Sequence, residues 1–316
     1  MKTNFYILRG VMTVANRLIG GVIPPLMTPL THDGLVDRMG LKNLIEFQLS
    51  AGVVGIFIAG STGEGSNLTY HQWVKLCEYA VEEVNGRVPV LAGVLASGTN
   101  EVLARSQEAQ KIGADFVVAT TTYYLRHGGT EHLNHFTKIA EQSPLPVVVY
   151  NVPVNTGAQI PRAVVEELSQ HENIVGYKDS TGDLETFSYV KDTLHENGLL
   201  LYLGTENNND TAAILGADGT IPGLANLAPE WCCKAFELGK KGDFQAAGEY
   251  QRKLLRLHEV YYQGLGSHAS SAYSCAKEAL YQMGLCENVV TSPIPQLAEE
   301  NKIRVRDILV DVGLLS

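Results

Sequence analysis

The sequence predicts an α/β protein, a (β/α)8 TIM barrel with a C-terminal helical extension. Three observations predict it. Short apolar, β-branched runs recur roughly every 20–35 residues, eight in all; helix-patterned stretches alternate with them; and beyond Leu224 the runs stop and only helical patterning continues.

The eight runs are Gly21–Thr28, Val54–Ala59, Val88–Ala92, Asp115–Ala119, Pro146–Tyr150, Ile174–Lys178, Leu200–Gly204 and Gly219–Pro222. Continuous apolar runs, rather than alternating ones, suit parallel strands buried on both faces. Between them, Leu41–Ser50 carries Leu41, Leu44, Ile45 and Leu49 at helical spacing, and Thr69–Val84 carries Trp73, Leu76, Cys77 and Ala80. Asn100–Lys111 and Arg162–Ser169 follow the same rule. Helix ends are marked by Gly52, Gly113 and Gly216, each suited to a left-handed C-cap ahead of the next strand. Eight strands alternating with helices fit a closed barrel, with an open doubly wound sheet as the alternative. Pro229–Lys240, Phe244–Tyr261 and Ser271–Met283 read as helices, Pro229 standing where a helix starts and its missing N–H costs little. The expected organisation is therefore an N-terminal extension over 1–20, a barrel over 21–225 and a helical region over 226–316.

The chain has 316 residues, 45% hydrophobic and 18% charged, and a net charge of −10. A barrel of this length is ordinary. No run of Lys or Arg exists, which argues against nucleic acid or an anionic membrane surface as partner. The five cysteines, Cys77, Cys232, Cys233, Cys275 and Cys286, form no C-x-x-C pattern. They read as free thiols in a reducing, cytoplasmic compartment, with Cys232 and Cys233 as buried helix residues. Residues 1–20 are interrupted by Lys2, Arg9, Asn16 and Arg17, lack a signal-peptide core, and leave Met1 and Met12 both open as starts. No apolar run is long enough to span a membrane.

The chemistry of a barrel sits at the C-terminal ends of its strands. The sixth run ends in Gly176-Tyr177-Lys178-Asp179-Ser180. An amine taken out of water there holds its proton less tightly, and a free amine can attack a ketone to form an imine. A solvent-exposed Lys178 paired with Asp179 is the alternative. The fifth run ends in Tyr150, whose phenol could carry a proton or merely pack at the rim. The second run ends in Gly60-Ser61-Thr62-Gly63-Glu64-Gly65, where glycines and hydroxyls could gather donors around a carboxylate or phosphate, or make only a tight turn. It is no P-loop, since no Gly-Lys-Ser/Thr follows. Tyr123 and Tyr124 follow the fourth run. His127, His132 and His135 come next; with no H-E-x-x-H pattern and no evident carboxylate partner they read as solvated histidines rather than a metal site.

Together these residues resemble the dihydrodipicolinate synthase / N-acetylneuraminate lyase family of class I pyruvate-type aldolases. The likeness runs from about Gly20 to the C-terminus and rests on the G-S-T-G-E loop at Gly60–Glu64, the Y-N-V-P segment at Tyr150–Pro153 and the G-Y-K-D segment at Gly176–Asp179. It implies a (β/α)8 barrel with a helical C-terminus, a homotetramer, and no metal or organic cofactor. It implies that Lys178 forms the imine with pyruvate or the oxo-acid substrate. Tyr150 would be the proton carrier, in a relay with Ser61 and with Tyr124 reaching in from a neighbouring subunit. Thr62 and the loop N–H groups of Gly60 and Gly63 would hold the pyruvyl carboxylate, while Gly204 and Ile221 line the imine side.

The resemblance also addresses the aldehyde partner. The lysine-pathway synthases carry an arginine five residues after the catalytic tyrosine; this chain has Asn155 there. A neutral amide cannot make the bidentate charged contact. Tyr150–Gly157 with Lys178-Asp179-Ser180 looks more like 4-hydroxy-2-oxoglutarate and 2-keto-3-deoxy sugar-acid aldolases. The implied function is therefore a lyase that cleaves or forms a 4-hydroxy-2-oxo acid from pyruvate and an aldehyde. The alternatives are the synthase of lysine biosynthesis or N-acetylneuraminate lyase. From different classes come a phosphate-binding barrel isomerase, disfavoured because its anion site normally follows strands seven and eight, and a non-catalytic 2-oxo-acid sensor, which would not need Lys178, Tyr150 and Ser61 together.

Overall fold

The computed structural model describes residues 20–264 and 269–316. The 1–19 part of the expected extension, with its two candidate start methionines, lies outside the described residues. Seven parallel strands follow in sequence order: β1 (Ile56–Ile58), β2 (Val90–Gly93), β3 (Phe116–Thr120), β4 (Val147–Asn151), β5 (Ile174–Asp179), β6 (Leu200–Leu203) and β7 (Gly219–Thr220), each paired with the next.

The first expected run is not a regular strand, and this is a correction. Gly21–Thr28 contributes only two isolated parallel bridges, Val22 to Thr220 and Pro25 to Phe57. Pro24 and Pro25 have no N–H to donate, so a continuous ladder cannot form. Closure is nevertheless complete: Ile23 N donates to Thr220 O at 3.0 Å, and Phe57 N donates to Pro24 O at 3.0 Å. This opening segment stands between β7 and β1 and turns the sheet into a barrel. Asn226 fastens it, accepting from Met27 N at 2.8 Å and donating to Pro25 O at 2.9 Å.

The barrel helices are α1 (Arg38–Ser50), α2 (Tyr70–Val84), α3 (Thr99–Ile112), α4 (Gly129–Gln142), α5 (Pro153–Thr156), α6 (Arg162–Leu168) and α7 (Leu184–Glu196). Their starts follow local chemistry. Asp37, Thr69 and Asp183 each accept from a first-turn N–H, and Thr69 with Gln72 completes a capping box. Gly113 caps α3 in the left-handed region at φ +101°. The helix expected to end at Gly216 is replaced by a series of turns, with Leu215 N bonded back to Thr211 O. The run Glu206-Asn207-Asn208-Asn209-Asp210 explains this, because short polar side chains compete for backbone groups. Asn209 Nδ2 does so by donating to Glu206 O at 3.1 Å.

Beyond the barrel come α8 (Pro229–Lys240), α9 (Phe244–His258), α10 (Ala269–Gln282) and α11 (Glu299–Asp311). Pro229 is the first residue of α8, and Cys232 and Cys233 are buried on it. The last helix, α11, falls within the expected helical region but carries no apolar pattern that marks it: Glu299–Asp311 has few apolar residues and buries only Asn301, Val305 and Leu309.

Side chains divide by the two-residue period of each strand. Phe57, Leu91, Phe116, Val118, Val148, Tyr150 and Tyr202 fill the barrel interior with Ile23 and Ile221. Their neighbours Ile56, Ile58, Val117, Val147, Val149, Tyr177 and Leu201 face the helices. Between β4 and β5 the register slips: Val147 pairs with Ile174 but Val148 with Gly176, leaving Val175 extra. A one-residue insertion changes which face every later residue takes. It sets Lys178 opposite Tyr150, on the inside.

Candidate active site

Lys178 sits on β5 in register with Tyr150 of β4 and Tyr202 of β6. Its Nζ lies 4.0 Å from the centre of the Tyr150 ring and 5.2 Å from that of Phe57, and the side chain is 3% exposed. The reading of a surface lysine paired with Asp179 is thereby overturned. Asp179 points the other way, accepting from Tyr177 Oη at 2.7 Å and from Thr181 N and Oγ1 at 2.8 and 2.6 Å. Burial pushes the Asp179 carboxyl up from its usual range while those hydrogen bonds pull it down. Asn151 Nδ2 donates to Tyr177 Oη, and Asn151 Oδ1 accepts from Ile160 N. A satisfied buried network of this kind fixes both strand ends and the direction of Lys178 between them.

The loop after β1 is built by close approach. A Cβ at Gly65 would collide with the Ala59 carbonyl, and one at Gly60 would meet the Phe57 ring at 2.7 Å. Gly63 lies so near the opening segment that a Cβ would stand 2.7 Å from Leu26 O, and Thr28 Oγ1 donates to Gly63 O at 2.6 Å. Gly65 N bonds to Gly60 O and Glu64 N to Ser61 O, closing a turn that presents half-buried Ser61 and Thr62 at the barrel mouth. Among the described residues the only non-glycine positions at positive φ are Ala59, Glu64, Asn85 and Tyr124. Asn85 caps a helix; the other three stand at the C-terminal rim, where backbone strain is characteristic of functional loops.

Sequence reasoning missed the group that holds this loop from behind. Glu64 and Lys277 are both fully buried, with Lys277 Nζ 3.0 Å from Glu64 Oε1. Glu64 Oε2 accepts from Thr291 N at 2.6 Å and Thr291 Oγ1 at 2.7 Å. Lys277 occurs among Cys275, Ala276, Ala279 and Leu280, an apolar stretch whose pattern gives no sign of a buried cation.

A cavity of about 220 Å³ opens at this end of the barrel, lined by Ser61, Glu64, Thr120, Tyr123, Asn155, Thr156 and Tyr273 among others. Asn155 stands on α5, the single turn begun by Pro153 and ended by Gly157 at φ +70°. The Tyr273 hydroxyl, from α10, is hydrogen-bonded to the Asn155 side chain, and burial pushes that phenol well up. Tyr273 was also missed: its helix follows the barrel by some distance in sequence. Tyr123 lines the cavity, whereas Tyr124 is 93% exposed and lies outside it within this one chain.

On the other side of Lys178, Gly204 leaves the space the lysine needs. A Cβ there would stand 2.7 Å from Lys178 Cε and collide with Ser180 Oγ. Ile221 is buried in the same interior layer as Tyr150. Glu206, two residues past Gly204, accepts from Gly223 N at 2.7 Å and Leu224 N at 3.0 Å. Burial raises its carboxyl to about 7, opposed by those two hydrogen bonds and by the Lys178 charge.

The histidines need correction. His127 is exposed, but His132 and His135 are buried at 2% and 4% exposure rather than solvated. His135 bridges Thr99 Oγ1 and Thr120 O at 2.9 and 3.0 Å, and burial lowers its pKa to about 4. It braces the end of β3 as a neutral ring. No group of three or more His, Cys, Asp or Glu side chains is placed to hold a metal ion among the described residues. Among them, too, no helix is long and apolar enough to cross a membrane.

The chain resembles known proteins over nearly its whole length. The family model described as the dihydrodipicolinate synthetase family matches residues 18–311. A 4-hydroxy-tetrahydrodipicolinate synthase of Phenylobacterium zucineum is 33% identical over 299 residues, covering 93% of this chain and 98% of the relative. The probable 2-dehydro-3-deoxy-D-pentonate aldolase YjhH of Escherichia coli K12 is also 33% identical, over 300 residues, with 93% and 98% covered. Among solved structures, the E. coli K12 prophage protein YagE in complex with pyruvate superposes with a TM-score of 0.88 at 29% identity, covering 94% of this chain and all of that one. With a closed barrel, a C-terminal helical region and relatives aligned from end to end, the chain belongs to the dihydrodipicolinate synthetase family and is a Schiff-base-dependent carbon–carbon lyase.

Proposed function

We propose that the protein is an aldolase that cleaves or forms a 4-hydroxy-2-oxo acid, with pyruvate as one product or substrate and a neutral aldehyde, as from a 2-keto-3-deoxy sugar acid, as the other. The observation that carries the reading is the wall of the cavity at the C-terminal end of the barrel. Among the described residues it offers Asn155, Thr156, Tyr273, Tyr123 and Thr120, hydrogen-bonding groups without charge, and no lysine or arginine; its one carboxylate, Glu64, is paired with Lys277. A substrate rich in hydroxyls is matched by such a wall, whereas a distal carboxylate would lose its hydration with no cation in return. The synthase reading has support in relatives that carry that name, but Asn155 stands where a cation would be wanted. 4-Hydroxy-2-oxoglutarate, with its second carboxylate, fits this wall less well.

The chemistry follows from charge. Lys178 Nζ adds to the C2 carbonyl and water leaves, giving a protonated imine. Breaking the C3–C4 bond sends its electron pair toward that imine and forms an enamine, while Tyr150 takes the C4 hydroxyl proton and the aldehyde departs. Protonation at C3 and hydrolysis release pyruvate and the free amine. Ser61 and Tyr124 would pass the proton onward, Tyr124 from a second subunit of a homotetramer, consistent with its exposure and its strained φ of +83°. Thr62 and the N–H groups near Gly60 and Gly63 would hold the pyruvyl carboxylate, with Gly204 and Ile221 shaping the imine side.

The test is pyruvate release from a panel of 2-keto-3-deoxy sugar acids and 4-hydroxy-2-oxoglutarate, set beside condensation of pyruvate with aspartate semialdehyde. Release from the sugar acids with the highest kcat/KM is expected. Condensation with aspartate semialdehyde as the only detectable reaction would overturn the reading.

A further inference from the structure

We infer that Lys277 and Glu64 form a positioning pair that makes the Gly60–Gly65 loop able to receive an anion; this rests on the reading that the loop holds the carboxylate of pyruvate. The pair joins distant parts of the chain. Glu64 belongs to the loop after β1 and lines the cavity, while Lys277 comes from α10. Both side chains are at zero exposure. Lys277 Nζ also donates to Val289 O at 2.6 Å, and Asn67 Nδ2 donates to Thr291 Oγ1 at 3.0 Å, so α10 and the strip Val289–Thr291 grip the loop from outside the barrel.

Two consequences follow. The first is shape. Glu64 has a left-handed backbone at φ +56°, which a non-glycine residue keeps only when its surroundings hold it there. Thr291 and Lys277 supply that restraint. The second is charge. A carboxylate buried in the wall of a cavity that admits another carboxylate would repel it, and burial makes the repulsion stronger than it would be in water. The Lys277 cation at 3.0 Å cancels the Glu64 charge from the far side, leaving the loop donors to act on the ligand unopposed. Lys277 itself touches no substrate; it acts through Glu64.

Removing the two charges singly should have effects of opposite sign, which a purely structural pair would not give. Lys277→Met leaves Glu64 unbalanced and should raise the pyruvate concentration for half-maximal borohydride inactivation by roughly tenfold or more. Glu64→Gln keeps an oxygen acceptor toward Thr291 but removes the negative charge and leaves the Lys277 cation behind the loop, and should lower that concentration. The double variant should return to within about threefold of the unmodified protein, since replacing both partners removes the uncompensated charge. Circular dichroism and thermal melting report which variants fold. If Lys277→Met does not fold, Lys277→Arg, expected to bind normally, is compared with Glu64→Gln in its place. Equal weakening by Glu64→Gln and Lys277→Met, or by Glu64→Gln when Lys277→Arg is normal, would overturn the inference, as would a folded Lys277→Met with unchanged pyruvate dependence. Failure of the unmodified protein to be trapped by pyruvate would instead overturn the reading of the loop on which the inference rests.

Discussion

Lys178 and Tyr150 are ladder partners on adjacent strands, and the lysine Nζ lies 4.0 Å from the centre of the tyrosine ring. The register slip at Val175 is what makes them partners on the inner face. In the proposed reaction this phenol serves the C4 hydroxyl of the substrate held as an imine on Lys178. Tyr150→Phe keeps the ring and its packing against Phe57. It is expected to lower kcat by about 10²–10⁴ with little change in KM, as loss of a general acid–base does. Steady-state kinetics on a cleaved sugar acid check this; an unchanged kcat would remove Tyr150 from the proton path.

The space beside the lysine is equally specific. Gly204→Ala would put a methyl group 2.7 Å from Lys178 Cε and against Ser180 Oγ. Overpacking of this kind costs about 1–3 kcal/mol and displaces the amine. The variant should lose at least about a hundredfold in kcat/KM, the displacement of a reacting group by an ångström being enough. Parallel thermal melts should show a protein that still folds cooperatively.

Selectivity should be movable at Asn155. Its side chain stands at the cavity mouth and is bonded to the Tyr273 hydroxyl. Asn155→Arg places a guanidinium where a distal carboxylate would sit and is expected to raise relative kcat/KM for 4-hydroxy-2-oxoglutarate over a neutral sugar acid by roughly tenfold. Identical ratios for the two proteins would show that Asn155 does not select the substrate.

His135 gives stability a pH dependence of known sign. Its folded pKa is lowered to about 4 against 6.5 for a free imidazole. The unfolded chain therefore binds the proton first, and stability is lost as pH falls from about 6.5 towards 4. The shift corresponds to about 3 kcal/mol at most. His135→Gln, which can still donate to Thr120 O, removes the titrating group. The stability gap between the two proteins should be largest at pH 7 and shrink towards pH 4. Chemical denaturation at several pH values measures it, and a constant gap would contradict the assignment.

The sequence made the barrel legible because its strands are short apolar runs and most connections between them carry helical spacing or a capping residue. Proline obscured the opening segment, where Pro24 and Pro25 allow bridges but no ladder, and the asparagine-rich run at Glu206–Asp210 dissolved one expected helix. Lys178 and Tyr150 were legible from their places at strand ends and their local motifs. Glu64, Lys277 and Tyr273 were not, because their roles come from contact between the loop after β1 and a helix that follows the barrel. The burial of His132 and His135 was not legible for a related reason: polar residues on an otherwise ordinary helix face give no sign that α4 buries them, His135 against the end of β3.

The most direct test is borohydride reduction in the presence of pyruvate, read by intact-protein and peptide mass spectrometry. Schiff-base chemistry at the inner end of β5 predicts a single reduced pyruvyl adduct on Lys178, absent in a folded Lys178→Ala variant that has also lost turnover. No adduct on the folded protein, or an adduct on another lysine with full activity in Lys178→Ala, would contradict it.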